Sequence, residues 1–151
     1  MIYRKATPED LDEVVDLCLS LARYEASLMG REVDPESVRR RISHDLLHGK
    51  DLVYFVAEFE GRIVSVLKVS LEEGRGKVSE AYTLPEHRNK GIMTRLFERA
   101  LSWLSEKGVW EVYLTVVIGN TPAKLFWASK GFREYQVSNN LIYMKRDLEA
   151  S

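Results

Sequence analysis

Apolar residues along this chain switch between helical and strand spacing several times, and the order of the switches restricts the fold. Ile2–Ala6 reads as a short first strand. Thr7-Pro8-Glu9-Asp10 opens a helix: Thr7 can cap, Pro8 suits the first helical position and acids follow in the first turn. Leu11, Val14, Val15, Cys18, Leu21 and Ala22 then recur at a helical period. A second helix starts at Asp34-Pro35-Glu36, with Val38, Ile42 and Leu46 as its stripe. From Leu52 the period becomes that of strands. Leu52–Phe59, Arg62–Leu71 and Lys77–Leu84 form a meander with turns at Glu60-Gly61 and Glu72–Gly76. Helical spacing returns at Ile92, Met93, Leu96, Phe97, Ala100, Leu101 and Leu104 and stops at Lys107-Gly108. Val109–Ile118 is a strand with an apolar face of Trp110, Val112, Leu114 and Val116. A helix from Asn120 to about Lys130 and a closing pair, Phe132–Val137 and Leu141–Lys145, complete the chain. Strands and helices in this order predict a mixed sheet covered by helices, an α/β architecture of the α+β kind.

The 151 residues suggest one domain, residues 1–151, large enough for a well-formed core. A formal net charge of -1 gives no reason to expect nucleic acid bound through bulk charge. No apolar run approaches the roughly 18 residues of a membrane span, and Met1–Lys5 does not read as a signal segment. The single cysteine excludes an internal disulfide and suits a reducing compartment, so the cytoplasm is the expected location.

The segment Tyr82–Thr94 carries the most chemistry. A strand ends, a short loop follows, and an amphipathic helix begins at once. The first-turn N–H groups of a helix lack internal partners, and the helix dipole makes that end positive. Gly91 permits close backbone approach, and Arg88 and Lys90 add charge. The loop matches neither G-x-x-x-x-G-K-[ST] nor G-x-G-x-x-G. Taken by itself it is either an anion site or a plain connection.

Pro85-Glu86-His87-Arg88-Asn89-Lys90-Gly91-Ile92-Met93 resembles the acyl-CoA loop of the GNAT superfamily of N-acetyltransferases. Asn120–Phe132 resembles the family's second signature, in which an Asn and an Ala precede an aromatic-rich helix ending in Gly-Phe. Arg4–Asp10 is similar to its first strand and helix start. The resemblance spans essentially the whole chain. It implies a mixed, mostly antiparallel sheet of about seven strands flanked by about four helices. It also implies transfer of acetyl from acetyl-CoA, without a metal, to an amine of a small molecule or peptide, and family members often dimerise. The strand end Ala81, Tyr82 and Thr83 would bind the pantetheine arm. Arg88, Asn89, Lys90, Gly91, Ile92, Met93 and Thr94 would hold the pyrophosphate, and Asn120 and Trp127 would contact the cofactor from the later helix. Two positions depart from the pattern. Asn89 stands where Gly is common, and Met93 where Gly or Ala is usual. Met93 either narrows the loop or turns into the core.

Transfer to an amine needs a proton acceptor, because an amine with a pKa near 10.4 arrives charged. It also needs a donor for the oxyanion. Glu80 is the candidate base, two residues before Tyr82 on one strand and so on the same face; its other reading is a place on a solvated strand face or an ion pair with a lysine or arginine. Trp127 occupies the position where the family often has a Tyr, and an indole N–H is no acid near neutral pH. Tyr82 or Tyr113 could replace it, the thiolate could leave unassisted, or the domain could be an acyl-CoA-binding or sensing module with weak turnover. A third reading, a protein of this fold acting in a complex, predicts no CoA affinity. Tyr24, Glu25, Glu32 and Asp34 are acidic or aromatic candidates to meet a cationic acceptor. His44 and His48 have metal-ligand spacing but no evident third ligand. Arg39-Arg40-Arg41 reads as a solvated face, His87 as a packing or phosphate-edge residue, and Cys18, Trp103 and Trp110 as packing residues.

Overall fold

A computed structural model describes residues 1–148. Seven strands form one sheet: β1 (Ile2–Lys5), β2 (Leu52–Phe59), β3 (Arg62–Glu72), β4 (Arg75–Thr83), β5 (Glu111–Val117), β6 (Arg133–Ser138) and β7 (Leu141–Asp147), in the order β1-β2-β3-β4-β5-β7-β6. Every neighbouring pair is antiparallel except β4 and β5. Four α-helices cover it: α1 (Leu11–Met29), α2 (Pro35–His48), α3 (Ile92–Glu106) and α4 (Thr121–Ser129). The expected mixed, mostly antiparallel sheet with four helices is what the chain forms.

Local chemistry explains the boundaries. Thr7-Pro8 opens a short 3-10 turn before α1, in which Asp10 accepts the Thr7 N–H at 2.8 Å. Asp34 caps α2 by accepting from the Glu36 N–H, and Pro35 supplies its first turn. Asn120 caps α4 by accepting from the Ala123 N–H.

Each face of the sheet buries its own cluster. Val14, Cys18 and Ile42 of α1 and α2 pack on Tyr54, Val56 and Val66. Leu96, Phe97, Ala100 and Leu104 of α3 pack on Leu67, Val69 and Leu114, with Trp127 of α4 beside them. Burying each such aliphatic side chain contributes about 1.5–3 kcal/mol. The fit of α3 on β4 depends on Gly76, where an added Cβ would lie 2.6 Å from a Leu104 methyl.

Trp110 departs from the expected apolar face of β5: it precedes the strand and is 68% exposed, whereas Val112, Leu114 and Val116 are buried. Trp103 is a packing residue as expected, under the Lys107 ammonium.

Candidate active site

The sheet splits at the parallel junction of β4 and β5. β4 and β5 pair at Gly76↔Val112 and Lys77↔Tyr113 and nowhere beyond, among the described residues. The right-handed twist of the strands then carries them apart. A second irregularity sits on β4 just past the split. Lys68 pairs with Ser79 and Val66 with Tyr82, so β4 carries one residue more than β3 over this stretch. Glu80 adopts φ +54°, rare for a residue with a side chain. The bulge changes which side the chain presents. Val78 faces the α3 cluster, whereas Glu80 and Tyr82 both reach the α1 side. The expected shared face of Glu80 and Tyr82 therefore exists, produced by a bulge that alternation alone does not foretell.

Two cavities meet at the fork. The smaller, about 180 Å³, is lined by Val78, Ser79, Glu80 and Ala81 of β4, Leu114, Thr115 and Val116 of β5, and Glu25 of α1. The larger, about 660 Å³, runs from Ala81 past Tyr82, Thr83, Arg88 and Asn89 to Gly91, Ile92, Met93 and Thr94. Leu21, Ala81, Asn120, Ala123 and Trp127 line both, so the two adjoin at the fork.

The floor of the larger cavity is the start of α3. Gly91 has φ +78°, and the first N–H to close a turn is that of Arg95, which donates to the Gly91 carbonyl. The N–H groups of Ile92, Met93 and Thr94 therefore lack partners within the helix. An added Cβ at Gly91 would meet no atom within 4 Å and would project into open space. Asn89 has φ +61°, a conformation Asn tolerates better than most residues, which accounts for its place where Gly is common. Met93 answers to both of its readings: it packs against the α3 cluster and also lines the cavity.

The named residues do not all stand free for a ligand. Arg88 donates from Nε to the Thr83 carbonyl at 2.8 Å and lies 5.2 Å from the centre of the Tyr82 ring, so it braces the loop. That bond occupies one backbone acceptor expected for the pantetheine arm, and the Thr83 hydroxyl is paired with Ser65 at 2.7 Å. Lys90 is exposed and lies outside the cavity lining. Asn120 spends its Oδ1 on the α4 cap. Trp127 is 5% exposed and packs edge-on against Phe97, Phe126 and Phe132. Tyr113 lies away from both cavities; its hydroxyl donates to Glu72 and the Arg75 guanidinium covers its ring. Burial first, then the Glu72 charge, pushes its pKa up to about 12.

Glu80 is 17% exposed at its side chain, and its Oε1 accepts from Arg41 at 2.7 Å. The arginine run of α2 is thus not wholly a solvated face: Arg39 pairs with Asp12, while Arg41 pairs with Glu80, which lines the smaller cavity. Burial, then the Glu80 charge, raises the pKa of the Cys18 thiol, which belongs to the core as expected. Glu25, one of the four acceptor-side candidates, lines the smaller cavity together with Glu80. Burial first, then the Glu80 charge, pushes its pKa up to about 7 against the opposing charge of Arg41. A signal was present in the sequence: Glu25 falls seven residues after Cys18, where the apolar stripe of α1 would continue. His87 and Tyr24 also line the larger cavity, His87 with its ring against Phe59. His44 and His48 stack on each other, and no group of metal-ligating side chains is found among the described residues. No helix of the described residues is long and apolar enough to cross a membrane.

Comparison with known proteins agrees with this geometry. Residues 19–132 match the model of the acetyltransferase (GNAT) family. An uncharacterised N-acetyltransferase of Archaeoglobus fulgidus is 31% identical, covering 88% of this chain and 93% of the relative. An acetyltransferase of Photorhabdus laumondii is 28% identical, covering 97% and 95%. The PaiA N-acetyltransferase of Thermoplasma acidophilum, solved in complex with coenzyme A, has a TM-score of 0.81 at 19% identity, covering 97% and 98%; a likeness at that identity speaks for the fold alone. With most of its length matched to the family model and a sheet that forks above an open helix start, the chain belongs to the GNAT family and is an acyltransferase.

Proposed function

We propose that this enzyme transfers an acetyl group from acetyl-CoA to a primary amine of a small molecule or peptide by direct attack. The observation that carries the reading is the forked cleft: one arm ends on the free N–H groups of α3, the other on carboxylates, and the arms join at Ala81. The first arm fits a nucleotide pyrophosphate, since Gly91 leaves the approach open and the N–H groups of Ile92, Met93 and Thr94 point to an anion. The acyl-CoA of the resemblance supplies the activated thioester.

The other steps fall to this chain's own residues. The unpaired edges of β4 and β5 present backbone groups to the pantetheine arm, and a backbone N–H of the bulged segment is assigned the oxyanion. The proton of the attacking amine goes to a carboxylate of the smaller cavity, Glu25 or Glu80. Tyr82, which lines the larger cavity, is assigned the leaving sulfur, with Tyr113 held elsewhere. A weakly active acyl-CoA-binding module is the second reading, favoured by the closed aromatic packing of Trp127 at the usual tyrosine position. A screen of primary amines, from polyamines to lysine and peptide N-termini, separates the two. Amine-dependent thiol release with an acetylated product supports transfer. Acetyl-CoA binding without thiol release on any amine supports the binding module.

A further inference from the structure

Two carboxylates of the smaller cavity have very different company. Glu80, on the bulge, gives Oε1 to the Arg41 guanidinium at 2.7 Å. Glu25 faces it from α1, and Arg41 acts on it only through its charge. The other charged group lining the cavity is Lys77 of β4, whose ammonium lies 3.5 Å from Glu72 and over the Tyr113 ring. Thr115 of β5 and Asn120 before α4 complete its polar lining, and the buried Cys18 thiol lies behind Glu80 on the α1 side. Half-buried, Glu25 therefore meets the cavity without a paired cation among the described residues, and Ala81 lines both this cavity and the larger one proposed to hold the thioester arm.

We propose that Glu25, rather than Glu80, takes the proton from the acceptor amine, and that the Glu80–Arg41 pair is a positioning element that shapes the surroundings of Glu25. The assignment rests on the acetyl-transfer reading above. The acceptor ammonium first gives one proton to solvent; the neutral nitrogen then forms a bond to the thioester carbonyl carbon and the C–S bond breaks. The nitrogen proton passes to the Glu25 carboxylate, and the bonding pair leaves with sulfur, which is protonated by Tyr82 or by water. Glu25 then returns its proton to solvent through the cleft, and Tyr82, where it is the donor, takes one back from solvent. A base whose pKa is pushed up to about 7 is better matched to neutral pH than an ordinary carboxylate. Burial first and then the Glu80 charge raise the proton affinity of Glu25, and the Arg41 charge lowers it.

The test compares Glu25→Gln with Glu80→Gln in the full chain, using an amine the wild type accepts. For Glu25→Gln, kcat should fall by about 10²-fold or more, while calorimetry gives the wild-type Kd for acetyl-CoA. For Glu80→Gln, kcat should persist at high pH, and the acidic limb of the kcat–pH profile should move to lower pH. The Glu25 carboxyl carbon followed by NMR should titrate near neutrality in the wild type and lower in Glu80→Gln, a readout independent of turnover. The proposal is overturned if Glu25→Gln keeps kcat within about threefold, or if Glu80→Gln alone abolishes turnover at every pH. If the wild type acetylates no amine, the acetyl-transfer reading has itself failed and the assignment falls with it.

Discussion

Two corners of this molecule each hold one arginine and two carboxylates, and they are wired differently. Near the end of β1, Arg4 holds both acids: it donates to Asp10 at 2.7 and 2.9 Å and to Glu58 at 2.9 Å. Asp10 also accepts the Thr7 N–H, so the Arg4 bonds first and the backbone bond after them hold its carboxyl below the usual range against the opposing effect of burial. In the cleft, Arg41 holds only Glu80, and Glu25 is left with its proton affinity raised. The composition is the same and the consequence opposite. An acid that receives donors is fixed as a charge and serves the fold; one left in a cavity beside another acid stays near the point of exchanging a proton.

Asp10→Asn should break the first corner with the largest effect on stability. Hydrogen bonds to charged groups contribute about 1.5–3 kcal/mol, so a loss of about 2 kcal/mol is expected. For a chain of this size that lowers Tm by about 4–8 °C, with kcat unchanged. Thermal unfolding together with the amine assay checks both halves, and a fall in kcat at full stability would contradict the contrast.

The pH dependence of stability sharpens it, because the two acids act in opposite senses. Asp10 has a lowered folded pKa, so its contribution is present above the unfolded pKa and disappears as pH falls through the folded value. Glu25 has a raised folded pKa, so the folded state is favoured while it is protonated, and stability declines as pH rises from about 4.5 to about 7. Denaturant unfolding across that window should show a decline in the wild type that flattens in Glu25→Gln. An unchanged decline in the variant would remove Glu25 as its source.

The smallest effect is expected from Arg41→Met. The Arg41 side chain is 45% exposed, so its influence on Glu25 is screened. The acidic limb of the kcat–pH profile should rise by about 0.5 unit, in line with exposed charges interacting by about 0.2–1 kcal/mol. A shift to lower pH would contradict the assigned sign.

The fold was largely legible in the sequence because its signals are local. Period changes located most of the strands and helices, and Pro8, Asp34-Pro35 and Asn120 marked helix starts, whereas the 3-10 turn at Pro85–His87 was read as plain loop. Trp110 was misread because alternation was carried one residue past the strand end. The cavity-lining stretch from Ala81 to Thr94 was also legible, since it is contiguous in the chain. What the sequence concealed depends on tertiary pairing. Nothing local in Lys77–Thr83 announces that Glu80 is bulged, that Arg88 turns back to the Thr83 carbonyl, or that Arg41 crosses from α2 to meet Glu80. Glu25 fell between the two cases: its place on the α1 stripe was readable, but its surroundings come from β4 and α2.

The account stands first on acetyl-CoA occupying the cleft above Gly91, and calorimetric titration of the wild type and Gly91→Glu tests this most directly. The substituted side chain would add bulk and negative charge where the open approach lies, with circular dichroism confirming that the variant is folded. The account predicts binding by the wild type in the micromolar range and none by the variant. A folded wild type that does not bind acetyl-CoA, or a folded variant that binds it equally well, would contradict it.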